Sequence, residues 1–210
     1  MDLSEFGYIL NELGFMAFAK LSASRFLSIN HYYILRRSTA NINLDATTVQ
    51  AKLKLSPICE NDIDEILRSQ AECDVSDKKQ ILSRMLFLKS GFENCHVIRI
   101  KNKIAYMQWI IYPTENGIIK ERYGNKFYPL NDEQVMIENA FTFPPYRGLG
   151  YLQSGTLQLL DLARAKGFRS SVCYIRKDNI NSLREFTKMG FQITKLVTEY
   201  KLFGKVWRTL

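Results

Sequence analysis

The chain has 210 residues, 46% hydrophobic and 24% charged, enough to bury a core as one globular domain with an extension and too apolar for a disordered chain. The N-terminus opens MDLSE, acidic where a secretory signal carries basic residues, and no apolar run reaches the roughly 20 residues of a membrane span, so a soluble, cytoplasmic protein is expected. The formal net charge of +8 is unevenly carried: Arg147 to Leu210 holds 12 Lys+Arg against 4 Asp+Glu, while the residues before it are balanced. That surplus would draw a partner carrying phosphates, although on charge alone a solvated basic face fits as well.

Residues 1–48 stand apart. Leu3, Phe6, Leu10, Leu13, Ala17 and Leu21 follow a helical stripe, and His31 to Leu35 reads as a short strand. Asp2, Glu5 and Glu12 against Lys20 and Arg25 are too acidic for an interfacial membrane helix, so packing on the domain, or on a second subunit as a homodimer, is expected. Val49 to Leu55 alternates as a strand, Ser56-Pro57 turns, and Ile58, Ile63, Ile66 and Leu67 follow helical spacing. Lys78 to Lys89 is a second helix, stopped at Ser90-Gly91.

The β-branched and aromatic runs His96 to Ile100 and Ile104 to Tyr112, either side of Lys101-Asn102-Lys103, read as a hairpin. Pro113 to Gln134 shows no clear period and is expected to be a long loop or irregular hairpin, with Tyr123, Phe127 and Tyr128 offering apolar faces with polar tips to a small ligand. Val135 to Phe143 is a strand, Leu149 to Ala165 a helix, Ser170 to Ile175 a strand, and Asn179 to Met189 a helix closed by Gly190. The tail from Phe191 reads as two short strands around Gly204. This order makes an α/β fold with a mixed sheet the natural solution.

Four cysteines, Cys59, Cys73, Cys95 and Cys173, stand far apart without a C-x-x-C pair, and His31 and His96 have no ligand-like spacing. Neither a metal site nor a disulfide framework is expected. Cys173, within SSVCYI, is read as a buried structural thiol rather than a nucleophile.

The stretch FPPYRGLGYLQS, Phe143 to Ser154, joins a strand to a helix through two spaced glycines. Such a turn leaves the first helical N–H groups aimed at one point, where an anion gains hydrogen bonds and the helix dipole. Gly148 and Gly150 allow close approach of the backbone, and Arg147 adds charge. A tight turn without a ligand is the plainer alternative. Glu138 is the one acidic residue inside VMIENAFTF, and burial there would raise its pKa towards the range of a general base, unless it faces solvent. Asn179 can cap its helix, with Ser182-Leu183-Arg184-Glu185 as a competing capping box.

Arg147-Gly148-Leu149-Gly150-Tyr151-Leu152 resembles the Arg/Gln-x-x-Gly-x-Gly/Ala motif of the GCN5-related N-acetyltransferases, matching at the first and fourth positions and departing at the sixth, where Leu152 replaces a small residue. Asp178 to Phe191, DNINSLREFTKMGF, is similar to that family's Asn-led helix ending in Gly-Phe. The resemblance covers about residues 49–200 and implies a mostly antiparallel central sheet flanked by helices, an acyltransferase domain over 49–210, and an extension over 1–48. It implies acetyl-CoA, or another acyl-CoA, as cosubstrate, with the pyrophosphate at residues 147–152 and the pantetheine arm near Asn179, Asn181 and Ser182. It implies Glu138 as base and backbone N–H groups around Phe141, Thr142 and Phe143 for the oxyanion. The family's tyrosine proton donor is replaced by Phe186, leaving water, Tyr174 or Tyr151. The activity it implies is transfer of a short acyl group to a small amine, and because YRGLGYLQSGTLQLL resembles family members from cell-surface polysaccharide pathways, an amino sugar is the acceptor this resemblance implies. A non-catalytic acyl-CoA sensor is the alternative. Nucleic acid is not an expected partner, since no recognition helix or aromatic platform accompanies the charge.

Overall fold

The computed structural model describes residues 27–40, 53–124, 129–203 and 205–209. Among these residues eight strands form one sheet: β1 (Leu27–Ser38), β2 (Leu55–Pro57), β3 (Cys95–Ile100), β4 (Lys103–Ile111), β5 (Gln134–Thr142), β6 (Ser170–Arg176), β7 (Gln192–Leu202) and β8 (Lys205–Thr209). Five α-helices accompany them among the described residues: α1 (Glu60–Ser69), α2 (Val75–Lys89), α3 (Asn116–Tyr123), α4 (Tyr151–Ala165) and α5 (Ile180–Lys188). The strand order is β2-β3-β4-β5-β6-β1-β7-β8, and among the described strands only β5 and β6 run parallel.

Side chains alternate across this sheet, as the two-residue period of a strand requires. Trp109, Met136 and Val172 pack against α1 and α2 through Ile66, Ile81 and Met85. Their neighbours Ile110, Ile137 and Cys173 pack on the opposite face against Leu157 and Leu160 of α4 and Phe186 of α5. Both faces of the centre are covered, which is why β4 reads as an almost unbroken buried run. The hairpin joining β3 to β4 turns at Lys101 and Asn102, both with positive φ, the geometry that matches strand twist.

Four readings change. The strand placed in the N-terminal extension is longer and central: β1 pairs with β6 on one edge and β7 on the other, with Tyr33 and Leu35 packed towards α4 and α5. The helical stripe lies outside the described residues, as do residues 49–52 of the strand expected before Ser56. What is described of that strand, β2, takes in the expected turn and pairs Pro57 with His96 at the sheet edge, where a missing N–H is tolerated. The segment after β4 is not wholly a loop. Pro113 opens a 3-10 turn, Glu115 Oε2 accepts the Tyr112 N–H at 2.8 Å, and Asn116 brackets Leu130 through both its N–H and its carbonyl, so α3 forms. Finally, β7 is not short: it runs 11 residues along β1.

Candidate active site

The site lies where β5 and β6 part. They pair through Gln134, Val135 and Met136 against Ser170, Ser171 and Val172, and no further along. Beyond Met136 a bulge opens in β5: Trp109 faces Glu138 and Met107 faces Phe141, so Asn139 and Ala140 together oppose Gln108. Asn139 has φ +55, a conformation asparagine tolerates better than most residues. The bulge detaches two carbonyls from the ladder, and α2 supplies their partner. Arg84 donates through Nε to the Asn139 carbonyl at 2.9 Å and through Nη2 to the Ala140 carbonyl at 2.8 Å. Burial pushes the Arg84 guanidinium down to about 10, so it stays charged at neutral pH.

A cavity of about 190 Å³ fills the gap, lined by Glu138, Ala140, Tyr174, Tyr32, Gln108 and Phe186 among others. Glu138 bridges the parted strands, Oε1 accepting the Tyr174 N–H at 3.1 Å. Burial pushes its carboxyl up to about 7, against the opposing pull of backbone hydrogen bonds from Tyr174 and Asn139 and of Arg208 and Arg84. By accessible surface Glu138 is half-buried, and it lines the cavity. Tyr32 reaches the cavity from β1, its hydroxyl held protonated by burial and by the charge of Glu199. Beside it, Arg208 makes two 3.1 Å bonds to the buried Glu199 and lies over the rings of Tyr32 and Tyr174.

A groove of about 500 Å³ adjoins the cavity and shares Arg84, Ala140, Asn179 and Ser182 with it. It runs between α2, the end of β5 and the first turns of α4 and α5. Gly148 (φ +76) and Gly150 (φ +80) form the turn into α4, and Gly150 leaves that 15-residue helix without a side-chain cap. A Cβ built on Gly148 would meet no atom within 4 Å, so the backbone there fronts open space. A helix start without a side-chain cap, beside open ground, suits a diphosphate. Arg147 is exposed, but its guanidinium already holds Asp77 at 2.5 Å and the Thr142 carbonyl at 3.2 Å. Leu149 is exposed, Leu152 lines the groove, and Tyr151 is buried against Tyr146, away from the cavity. Asn179 caps α5, its Oδ1 accepting the Ser182 N–H at 3.2 Å, so the alternative capping box at Ser182 is not used.

The oxyanion expectation narrows. Phe143 N–H donates to the Ala105 carbonyl at 3.0 Å, and strand alternation aims Phe141 towards β4 as well. Thr142 and Ala140 turn their backbone to the open side, where Arg147 and Arg84 take their carbonyls. Cys173 is buried and its thiol is raised well above its ordinary range, first by burial and then by Glu138. Among the described residues no cluster of His, Cys, Asp and Glu could hold a metal, and no helix is long and apolar enough to cross a membrane. Phe127 and Tyr128 lie outside the described residues. The side chain of Tyr123 lies outside them too, and the described strands that this segment joins, β4 and β5, meet it at the end where β5 pairs with β6.

One parallel pair in an otherwise antiparallel sheet, parted at a bulge beside a glycine turn into a helix, decides the architecture. The fold is that of the GCN5-related N-acetyltransferases. The acetyltransferase region of a fungal multi-domain β-N-acetylglucosaminidase, named as a GCN5-related glucosamine N-acetyltransferase, matches 86% of this chain at a TM-score of 0.60 and 12% identity. An acetyltransferase of this family from Colwellia psychrerythraea matches 88% at 0.53 and 12%, and a GCN5-related N-acetyltransferase from Sphaerobacter thermophilus 94% at 0.52 and 8%. The matches cover 22%, 61% and 57% of those chains, less than two thirds of each. No family model matches the sequence, and no curated protein is similar to it in sequence. At these identities the likeness to the acetyltransferases is one of fold.

Within that acetyltransferase fold, the sequence missed Tyr32, Arg84 and Gln108. Tyr32 sat in the supposed extension, and the other two looked like ordinary polar residues in a helix and a strand. An arginine and a glutamine inside otherwise apolar faces were the available signal.

Proposed function

We propose that the chain is an N-acyltransferase that moves an acetyl or other short acyl group from acyl-CoA to the primary amine of a small acceptor. The observation that carries this reading is Glu138, raised to about 7, in the gap between two parted parallel strands at the end of a groove lined by Leu152 in the first turn of α4. The cosubstrate supplies an activated thioester carbonyl. The first turn of α4 and the Gly148 backbone hold its diphosphate, and Asn179 and Ser182 border the path of its arm. The Thr142 and Ala140 N–H groups meet the negative charge that develops on the carbonyl oxygen. Glu138 takes the proton from the attacking amine, which must be neutral to react.

The cavity is bordered on the β1 side by Tyr32 and Tyr174, aromatic faces with polar tips that suit a hydroxylated ring such as an amino sugar. The glucosamine acetyltransferase region with the same fold supports that choice of acceptor class. Phe186, which lines the cavity without a hydroxyl, favours a second reading as a non-catalytic acyl-CoA sensor. A thiolate with a pKa near that of cysteine, roughly 8.5, leaves without a dedicated acid, so turnover survives the phenylalanine. Mass spectrometry of ligands retained on purification, followed by an amine panel with acetyl-CoA, tests both readings. Acylation of an amino sugar or related amine is expected; tight CoA binding without turnover on any amine would select the sensor.

A further inference from the structure

Gln108 is fully buried in the middle of β4. Its Oε1 accepts two hydroxyl protons, from Tyr106 at 2.7 Å and from Thr156 of α4 at 3.0 Å. In this orientation both hydroxyls donate to the amide oxygen and the NH2 group is turned away from them. Nε2 then has no partner among the described residues, while the side chain lines the same cavity as Glu138 and Phe186. Gln108 is also the residue that the bulge of Asn139 and Ala140 faces across the ladder. A buried donor left without an acceptor is costly, and the packing of β4 against α4 needs only the oxygen of this amide.

We infer that Gln108 Nε2 donates a hydrogen bond to the acyl carbonyl oxygen and acts with the β5 backbone N–H groups as a side-chain donor to it. The inference rests on the acyl-CoA reading above. It makes Gln108 a catalytic residue: its donor is preorganised, because two hydroxyls hold the amide before any ligand arrives. Its loss is expected to lower kcat on the order of 10²-fold.

Calorimetry with two non-transferring thioethers tests this without an acceptor. S-acetonyl-CoA keeps a carbonyl near the sulfur, and S-propyl-CoA lacks one. The parent is expected to bind the acetonyl compound about tenfold more tightly. Gln108→Met should erase the preference. Thr156→Val, which removes one hydroxyl from the oxygen side of the same amide, should lower the melting temperature and keep the preference. A preference that survives Gln108→Met overturns the assignment, and so does its absence in the parent while both thioethers bind, a result that needs no variant. Binding of neither thioether would remove the acyl-CoA reading itself, and the assignment with it.

Discussion

The two ends of the β5–β6 pair are built on opposite terms. At the paired end Val135, Met136 and Val172 are buried apolar residues in a regular ladder, and Arg169 and Ser170 both donate to the Glu133 carbonyl. At the open end the ladder is replaced by side chains: one carboxylate reaching the Tyr174 N–H, and one guanidinium on the Asn139 and Ala140 carbonyls. The first end is stabilised by burial. The second satisfies its backbone while leaving room for a ligand, and it holds a carboxyl that would rather be neutral.

Replacing that carboxyl should have the largest effect. Glu138→Gln cannot take a proton, and the rate of acyl transfer is expected to fall about 10²–10⁴-fold. In the parent, the rate should drop as pH falls below about 7, where Glu138 becomes protonated. The same shift gives a stability test. A carboxyl whose folded pKa exceeds its unfolded value binds more protons folded than unfolded, so stability falls as pH rises from about 4.5 to about 7. Glu138→Gln should lack that fall and be more stable than the parent above pH 7, by about 1–3 kcal/mol in urea titrations. A variant as active as the parent, or one less stable at pH 8, would break the contrast between the two ends.

The floor of the open end comes next. A Cβ on Gly155 would stand 2.2 Å from Cε1 of Tyr106, the residue whose hydroxyl holds Gln108. Gly155→Ala should therefore force α4 off β4 and cost about 1–3 kcal/mol, read as a lower urea midpoint with an unchanged slope. A neutral result would mean the two elements slide without loss.

At the mouth of the groove the expected effect is smaller. Gly148→Ala introduces a methyl at φ +76, worth roughly 1–2 kcal/mol of strain, and aims it into the space before α4. Calorimetry should show CoA affinity reduced about tenfold, beyond what the melting temperature alone predicts. Unchanged affinity would move the diphosphate elsewhere. The smallest effect is expected at Phe186. Restoring a hydroxyl with Phe186→Tyr should leave kcat and the alkaline limb of the pH profile as they are, because water can protonate the departing thiolate. Acetylation seen only in that variant would make the natural chain a binder.

Much of this was legible in the chain. The helix read over 78–89, which the structure starts three residues earlier at Val75, the hairpin at Lys101-Asn102, the strand–turn–helix through Gly148 and Gly150, and the Asn179 cap all rest on local signals: period, turn residues and end residues, each acting within a few positions. Glu138 stood out for the same reason, as one charge among apolar neighbours. The helix α3 was not legible, because its eight residues have no apolar period and are held by Asn116 and Leu130 across 14 positions.

Sequence alone determined the alternation of strands and helices, the glycine turn and the lone carboxylate, since each is set by backbone preference and by the partition of side chains between water and core. Only the tertiary structure decided that β1 lies inside the sheet, which made Tyr32 part of the cavity wall. It alone decided that β5 and β6 part after Met136, that Arg84 satisfies the carbonyls so released, and that the Gln108 amide faces the gap. These are pairings over tens of residues. A strand carries no record of which neighbour it will take, and a buried polar group shows its use only when the atoms around it are in place.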